Sequence, residues 1–448
     1  MFAYSCFSAS LPSARRANWF RGARHCAVAA SLLLAAMGAN ADPALSLAEA
    51  LALAESRSSQ LTSTDFAAQA SREMAVAAAQ LPDPIASIGV NNLPINGQDA
   101  WSLTRDFMTM GVVGVSQEFT GKDKREARAE RFRREADKSV AERSAGVAAL
   151  QRDTATAWLE RYYAEAMLKV VSEQSRQARA EVEGAEGGYR AGRGNLAEIL
   201  AARSALVMLD DRASEFGRKV RAARIALARW IGERADAPLA DRPAIDTLAY
   251  DPKSLDADLM HHPQLAMLTR REELAAADVR VAQANKQADW SVALMYQQRG
   301  SAYSNMISLN VSVPLQWDQV NRQDREVAAK LAMLDQARAE REDMVRAHAA
   351  EVRQTLAEWE NDRERLARYE RELLPLATQR TEATLAAYRG AKASLIDVLV
   401  ARRGEIDVRV QSLQLEMDTA RLWAQLNFLY PEDGHAPRGT VLHAKDPQ

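Results

Sequence analysis

Tyr189-Arg190-Ala191-Gly192-Arg193-Gly194-Asn195-Leu196-Ala197-Glu198-Ile199-Leu200 and, 199 residues further on, Tyr388-Arg389-Gly390-Ala391-Lys392-Ala393-Ser394-Leu395-Ile396-Asp397-Val398-Leu399 are one pattern written twice. Tyr-Arg opens each copy. A small residue stands three positions on, a base follows it, and an acid sits immediately before the closing apolar pair. Arg125-Glu126 matches Arg325-Glu326 at an offset of 200, and Gln60-Leu61 matches Gln264-Leu265 at 204. Insertions in loops and helices produce such a drifting offset, so the chain is read as a tandem duplication.

Working outward, each half has the same order. An Ala-rich helix comes first, about 46–80 and 254–286. Two alternating stretches follow, expected as strands at Ile85–Val90 and Thr109–Phe119, then Trp290–Gln298 and Asn305–Leu315. Then come a very long helix, the glycine-bearing tip string and a second long helix. Val345, Val352, Trp359, Leu366 and Leu373 recur every seven residues, with Ala349 and Leu356 between them. That is a coiled-coil seam. Leu159, Tyr163, Met167 and Val170 keep similar spacing in the first half. The helix from Gly121 to Glu186, at 1.5 Å per residue, is roughly 100 Å long. No globular core requires such a length, so the helices form a rod or a tube wall. Pro375 should kink its helix, because proline lacks the amide and clashes with the preceding turn.

Segments of about ten alternating residues fit tilted membrane strands. Trp101, Phe107, Trp290, Tyr296 and Trp317 at or near their ends fit an aromatic girdle; a small soluble hairpin packed on helices fits the alternation equally. After Ala41 no run of 18 apolar residues occurs, so only strands could cross a bilayer. Four strands cannot close into a barrel, since the smallest barrels need about eight. Open edges in lipid leave backbone groups unpaired. Copies of the chain must therefore pool their strands.

The first 41 residues read as a secretory signal peptide. Arg15, Arg16, Arg21 and Arg24 precede an apolar run from Ala27 to Met37, and Ala39-Asn40-Ala41 offers a small-x-small cleavage site. Its removal takes away four bases and no acid, turning the net charge from −2 to −6, and removes both cysteines, Cys6 and Cys26. The mature chain then has no disulfide or thiolate metal site. The near-balance of 58 basic and 60 acidic residues argues against nucleic acid as a partner. The expected divisions are 1–41, a first repeat at 42–240, a second at 241–430, and a polar tail at 431–448.

The signal peptide, tandem repeats, strand pairs between long helices and Tyr-x-x-[Gly/Ala]-x-x-x-[Leu/Ile]-x-[Asp/Glu]-[Val/Ile]-Leu tips resemble the TolC-type outer-membrane efflux proteins over the whole mature chain. Val313-Pro314-Leu315 matches the family's strand-to-helix corner; Gln117-Glu118-Phe119 departs from it in lacking proline. The resemblance implies a mainly α fold. Long coiled-coil helices would form an α-barrel, and four strands per protomer would join a trimeric β-barrel. It implies a passive conduit in the outer membrane with a long periplasmic extension, working with a periplasmic adaptor and a proton-driven inner-membrane transporter of the RND type, amid outer-membrane lipid. Leu81-Pro82-Asp83-Pro84, Asn92-Leu93-Pro94, Asp106-Phe107-Met108-Thr109-Met110 and Ala424-Gln425-Leu426-Asn427-Phe428-Leu429-Tyr430-Pro431 resemble its heavy-metal-efflux branch. Export of drugs or proteins, or a soluble periplasmic coiled-coil scaffold, are the competing readings. Family position also implies an entrance gate at Tyr189, Glu198, Tyr388 and Asp397. Ala393 replaces the basic partner some relatives carry, a role open to Lys392 or Arg193, and Val400 replaces a second aspartate.

No phosphate-binding loop or nucleophile elbow is present: Gly187 to Gly194 is glycine-dense but follows a helix where a strand is required. An enzyme is therefore not expected, nor any cofactor. No mature histidine has helical i, i+4 spacing to another ligand, so no metal site is expected. His261-His262 before Pro263 reads as a capping or solvated pair. Met108 and Met110 read as strand-packing residues rather than copper ligands.

Overall fold

The computed structural model describes residues 43–192, 195–249 and 262–431. The expected signal peptide, residues 250–261 with the start of the helix expected at 254–286, Arg193, His261 and the tail beyond Pro431 lie outside them. The chain divides after Ala44, and only Pro43 and Ala44 of the first unit are described. The account below begins at Leu45.

Two short helices open the unit. α1 spans Leu47–Arg57 and α2 spans Ser59–Ala78, where a single helix was expected. Ser46 and Glu49 form a capping box at the start of α1. Ser58, with extended backbone, ends α1 and caps α2 by accepting from the Leu61 amide at 3.3 Å. Strands β1 (Ile85–Asn91) and β2 (Met110–Phe119) precede α3 (Lys122–Arg190) and α4 (Leu196–Ile231). α3 has 69 residues, about 100 Å of helix. The second half repeats this order with α5 (Pro263–Ala284), β3 (Trp290–Arg299), β4 (Met306–Ser312), α6 (Gln323–Arg368), α7 (Leu374–Arg389) and α8 (Leu395–Asn427). β4 is shorter than the expected Asn305–Leu315, since Pro314 has no amide to donate to a ladder.

The duplication extends to single hydrogen bonds. Trp158 Nε1 donates to the Leu45 carbonyl at 3.2 Å, and Trp359 Nε1 donates to the Ile245 carbonyl at 3.1 Å. Buried Arg161 donates to the carbonyls of Ala235 and Ala237 at 2.6 and 2.8 Å, holding the segment after α4 against α3. That segment turns at Gly232, whose φ is +69° and whose missing Cβ leaves room for the Arg57 guanidinium.

The helices pack along the expected seams with two changes. In the first half Leu159, Tyr163, Met167 and Val171 are the buried members, Val170 lying half-buried beside them. In the second, Val352 and Trp359 are buried and Leu356 and Leu366 half-buried, but Leu373 is 43% exposed. Tyr369–Leu373 is a π-helical turn. The additional residue in that turn rotates the following helix by about 100°, so Leu374 takes the inward place. This turn also accommodates Pro375 at the start of α7, where a simple kink was expected.

The four strands form one antiparallel sheet in the order β1-β2-β3-β4. Pairing of Val113 with Tyr296 joins the halves, and with the Leu294–Leu309 pair of β3 and β4 it fixes the faces. One face carries Ala86, Ile88, Val90, Val113, Val115, Leu294, Tyr296, Ile307, Leu309 and Val311. The other carries Ser87, Gly89, Gly114, Ser116, Glu118, Ser291, Ala293, Gln297, Arg299, Ser308, Asn310 and Ser312, interspersed with Ile85, Met110, Val112, Met295 and Met306. On the apolar face Ile88 is 87% and Ile307 74% exposed. β1 and β4 are edge strands with one side unpaired. Phe119 and Trp290 stack at 4.4 Å at the helix-proximal end, while Trp101 and Phe107 lie in the distal β1–β2 connection. Tyr296 lies within β3, not at its end. Among the described residues no helix is long and apolar enough to cross a membrane.

Candidate functional site at the helical tips

Both tip strings are helix–turn–helix reversals built alike. Gly192 in the first and Ala391 in the second hold left-handed backbone, with φ of +76° and +55°. Asn195 and Ser394 then cap α4 and α8: Asn195 Oδ1 accepts from the Ala197 amide at 2.9 Å, and Ser394 Oγ from the Asp397 amide at 3.2 Å. The equivalence of Tyr189 with Tyr388 and of Glu198 with Asp397 thus has a structural basis. The tyrosines end one helix and the acids sit in the first turn of the next, near its positive end.

The two acids differ in their local bonds. Asp397 Oδ2 accepts from the Ser394 amide at 3.0 Å and its hydroxyl at 2.8 Å, completing a capping box. These bonds hold its carboxyl below the usual aspartate range. Glu198, half-buried, has no ion-pair partner among the described residues. Tyr189 is 43% exposed, whereas Tyr388 is half-buried. Tyr388 packs with Leu399 against a small buried cluster of Val182 from α3, Ala202 from α4 and Leu395 from α8. Lys392 is exposed on the turn. Within the chain the structure therefore brings Tyr388 to the first hairpin but does not join it to Asp397 or Glu198.

A buried polar contact between the hairpins has no motif of its own in the sequence. Arg402 of α8 is 7% exposed and reaches across to α3. It donates to Gln174 Oε1 at 2.9 Å and Gln177 Oε1 at 2.5 Å, and pairs through two nitrogens with the Glu181 carboxylate. Arg212 of α4 pairs with Asp407 of α8 farther from the tips, in a more exposed setting. A signal existed: Leu395, Val398, Arg402 and Glu405 follow one apolar stripe, which Arg402 and Glu405 interrupt with charges.

His262 also differs from its reading. It occupies the cap position of α5 without a capping bond and is only 5% exposed. Its ring lies 4.2 Å from that of buried His348. Burial, and His348 after it, push the His262 pKa down to about 4.

No family model and no curated protein matches this chain. Solved structures do. The outer-membrane channel OprN superimposes with a TM-score of 0.72 at 18% identity, over 86% of this chain and 90% of that one. CusC, described in terms of transmembrane channel formation, gives 0.72 at 16%, over 86% and 92%. The outer membrane protein VceC of Vibrio cholerae gives 0.68 at 18%, over 86% and 95%. At such identities the likeness is one of fold. The chain has the fold of these channel proteins, with long helices and a small four-stranded sheet.

Proposed function

We propose that this chain is one protomer of an outer-membrane efflux duct: a passive conduit, without enzymatic activity, from the periplasm to the exterior. One observation carries the reading. The sheet is apolar and exposed along one face, mostly small or polar with five interspersed apolar side chains on the other, and open at both edges. An apolar face against lipid and a polar face toward water is the pattern of a membrane barrel wall. A soluble scaffold would leave that apolar face in water. Four strands with two free edges close only when copies join them. Three copies would pool twelve strands, the number three resting on resemblance to the TolC type.

In this reading α3 and α6–α7 carry the conduit about 100 Å from the sheet, and the tips form its periplasmic entrance. Tyr189, Glu198, Tyr388 and Asp397 set the gate. Symmetry repeats each acid around the axis, and a ring of like charges in a narrow mouth attracts cations. A periplasmic adaptor and a proton-driven inner-membrane transporter supply substrate and energy. Heavy-metal cations are the proposed substrates, supported by the resemblance of the Leu81–Pro84 and Asp106–Met110 strings to the heavy-metal-efflux branch.

Membrane fractionation tests the reading. A duct stays with membranes through salt and alkaline washing, needs detergent, and runs as a heat-modifiable oligomer on denaturing gels. Release as a water-soluble monomer would eliminate it.

A further inference from the structure

On the helix side of the sheet, residues 313–322 join β4 to α6. Val311 belongs to the apolar face, Val313 and Leu315 continue from it at two-residue spacing through a stretch in which Pro314 favours extended backbone, and Trp317 opens the turn that follows. Leu315 is 65% and Trp317 88% exposed. Beside them lies a cavity of about 580 Å³, bounded by this stretch and the first turns of α3 and α6. This is within the size range of small-molecule sites.

The wall of that cavity has an unusual charge pattern. Lys124, 4% exposed, is already satisfied: its Nζ lies 2.7 Å from Asp289 Oδ2 and donates to the Gln287 carbonyl at 2.8 Å. Half-buried Arg128 and exposed Arg322 have no carboxylate partner among the described residues. Two exposed carboxylates, Asp318 and Glu326, also line the cavity. Asp318 accepts from Asn321 Nδ2 at 2.9 Å. Gln323 is 9% exposed, and its Oε1 is buried with no donor. A buried amide oxygen without a partner costs about 1–3 kcal/mol unless something donates to it.

We propose that this cavity holds the headgroup of a zwitterionic glycerophospholipid, the phosphate on Arg128 and Arg322 and the ammonium toward Asp318, Glu326 and Gln323 Oε1. Guanidinium forks match phosphate oxygens. A purely anionic headgroup would meet the two carboxylates and leave the Gln323 oxygen without a donor. A headgroup carrying both signs satisfies every one of these groups. The acyl chains would run over Leu315 and Trp317 onto the apolar face, with Trp317 at the interfacial level that tryptophan favours. The corresponding first-half connection, Thr120-Gly121 between β2 and α3, is too short to build such a cavity. Each protomer therefore carries one site. The proposal rests on the membrane reading above.

Native mass spectrometry of the delipidated, detergent-held oligomer tests it, with phosphatidylethanolamine and phosphatidylglycerol of the same acyl chains as probes. The expected result is one phosphatidylethanolamine per protomer, held at least tenfold more tightly than phosphatidylglycerol. Arg128→Gln with Arg322→Gln should abolish that retention, while Gln323→Leu should weaken phosphatidylethanolamine and spare phosphatidylglycerol. Equal retention of the two lipids, or unchanged retention by the double variant, overturns the site. The washing and heat-modifiability assays on the same samples separate the two claims. Detergent-dependent oligomers with unchanged lipid retention refute the lipid site alone; a water-soluble parent refutes both.

Discussion

Arg402→Met removes a buried cation that joins the two tip hairpins while keeping most of its aliphatic volume. Three side chains lose their donor. Gln177 is exposed, and water replaces its lost bond at little cost, whereas Glu181, at 19% side-chain exposure, loses a charge-assisted pair. Gln174 is 7% exposed, and its carbonyl is left buried without a donor. One unsatisfied buried acceptor costs about 1–3 kcal/mol, and the lost charge-assisted bond to Glu181 brings the total to about 2–3 kcal/mol. Arg212–Asp407, at 30% and 39% side-chain exposure, is worth at most about 1 kcal/mol and does not compensate. Amide hydrogen exchange reads local opening directly. Protection of residues 395–405 should fall about 30- to 150-fold, since each 1.4 kcal/mol is tenfold. The α1–α3 core around Trp158 should be unaffected. Glu181→Gln with Arg402→Met should lose little more than Arg402→Met alone, because the two side chains act as one contact. Unchanged protection in Arg402→Met would refute the claim that this contact ties the hairpins.

In planar bilayers, Asp397→Ala should lower cation preference and Tyr388→Phe should raise open probability; Ser394→Ala, which weakens the cap by about 1 kcal/mol but keeps the charge, should leave cation preference intact. Ala391→Gly should raise tip protection by about 1 kcal/mol, because alanine is strained at a φ of +55°, whereas Gly192→Ala should lower it. His262, with an ordinary pKa of 6.5 and a folded value of about 4, binds fewer protons folded than unfolded between those pH values. Stability is therefore full above about pH 6.5 and falls by up to about 3 kcal/mol as pH approaches 4. Denaturant titrations of the parent and His262→Leu across that range should show the parent's pH slope shrink in the variant.

Much of this architecture was legible because it follows from repeating local rules. A tip needs a left-handed turn residue, a cap and an acid near the next helix start, so Tyr189–Leu200 and Tyr388–Leu399 declare themselves. Alternation in Met306–Ser312 likewise announced a strand with one apolar face. What escaped depended on partners distant in the chain or on one-residue shifts. Ser58 breaks a helix that composition alone would continue. The π turn before Pro375 moves the seam from Leu373 to Leu374, which a strict seven-residue count cannot anticipate. Arg402 and Arg403 are adjacent and chemically identical, yet only Arg402 faces α3, and only the apolar stripe through Leu395 and Val398 distinguishes them. His262 was read from its neighbours in sequence, although burial beside His348, 86 residues away, decides its chemistry. The cavity beside Trp317 depends on α3 and α6 meeting below the sheet, which no local pattern encodes.

The central claim is that the free edges of the sheet are closed by other copies of the chain. Single cysteines placed on β1 near Ile88 and on β4 near Leu309, in a parent from which Cys6 and Cys26 are absent, test this directly. Within one chain the two edges are separated by three strand spacings, about 14 Å. A disulfide requires Cα atoms within about 7 Å. Mild oxidation of the membrane-inserted protein should therefore give only bonds between chains, in a covalent ladder that stops at three protomers. An uncrosslinked monomer across a panel of neighbouring edge positions, or a ladder extending without limit, would contradict a closed ring.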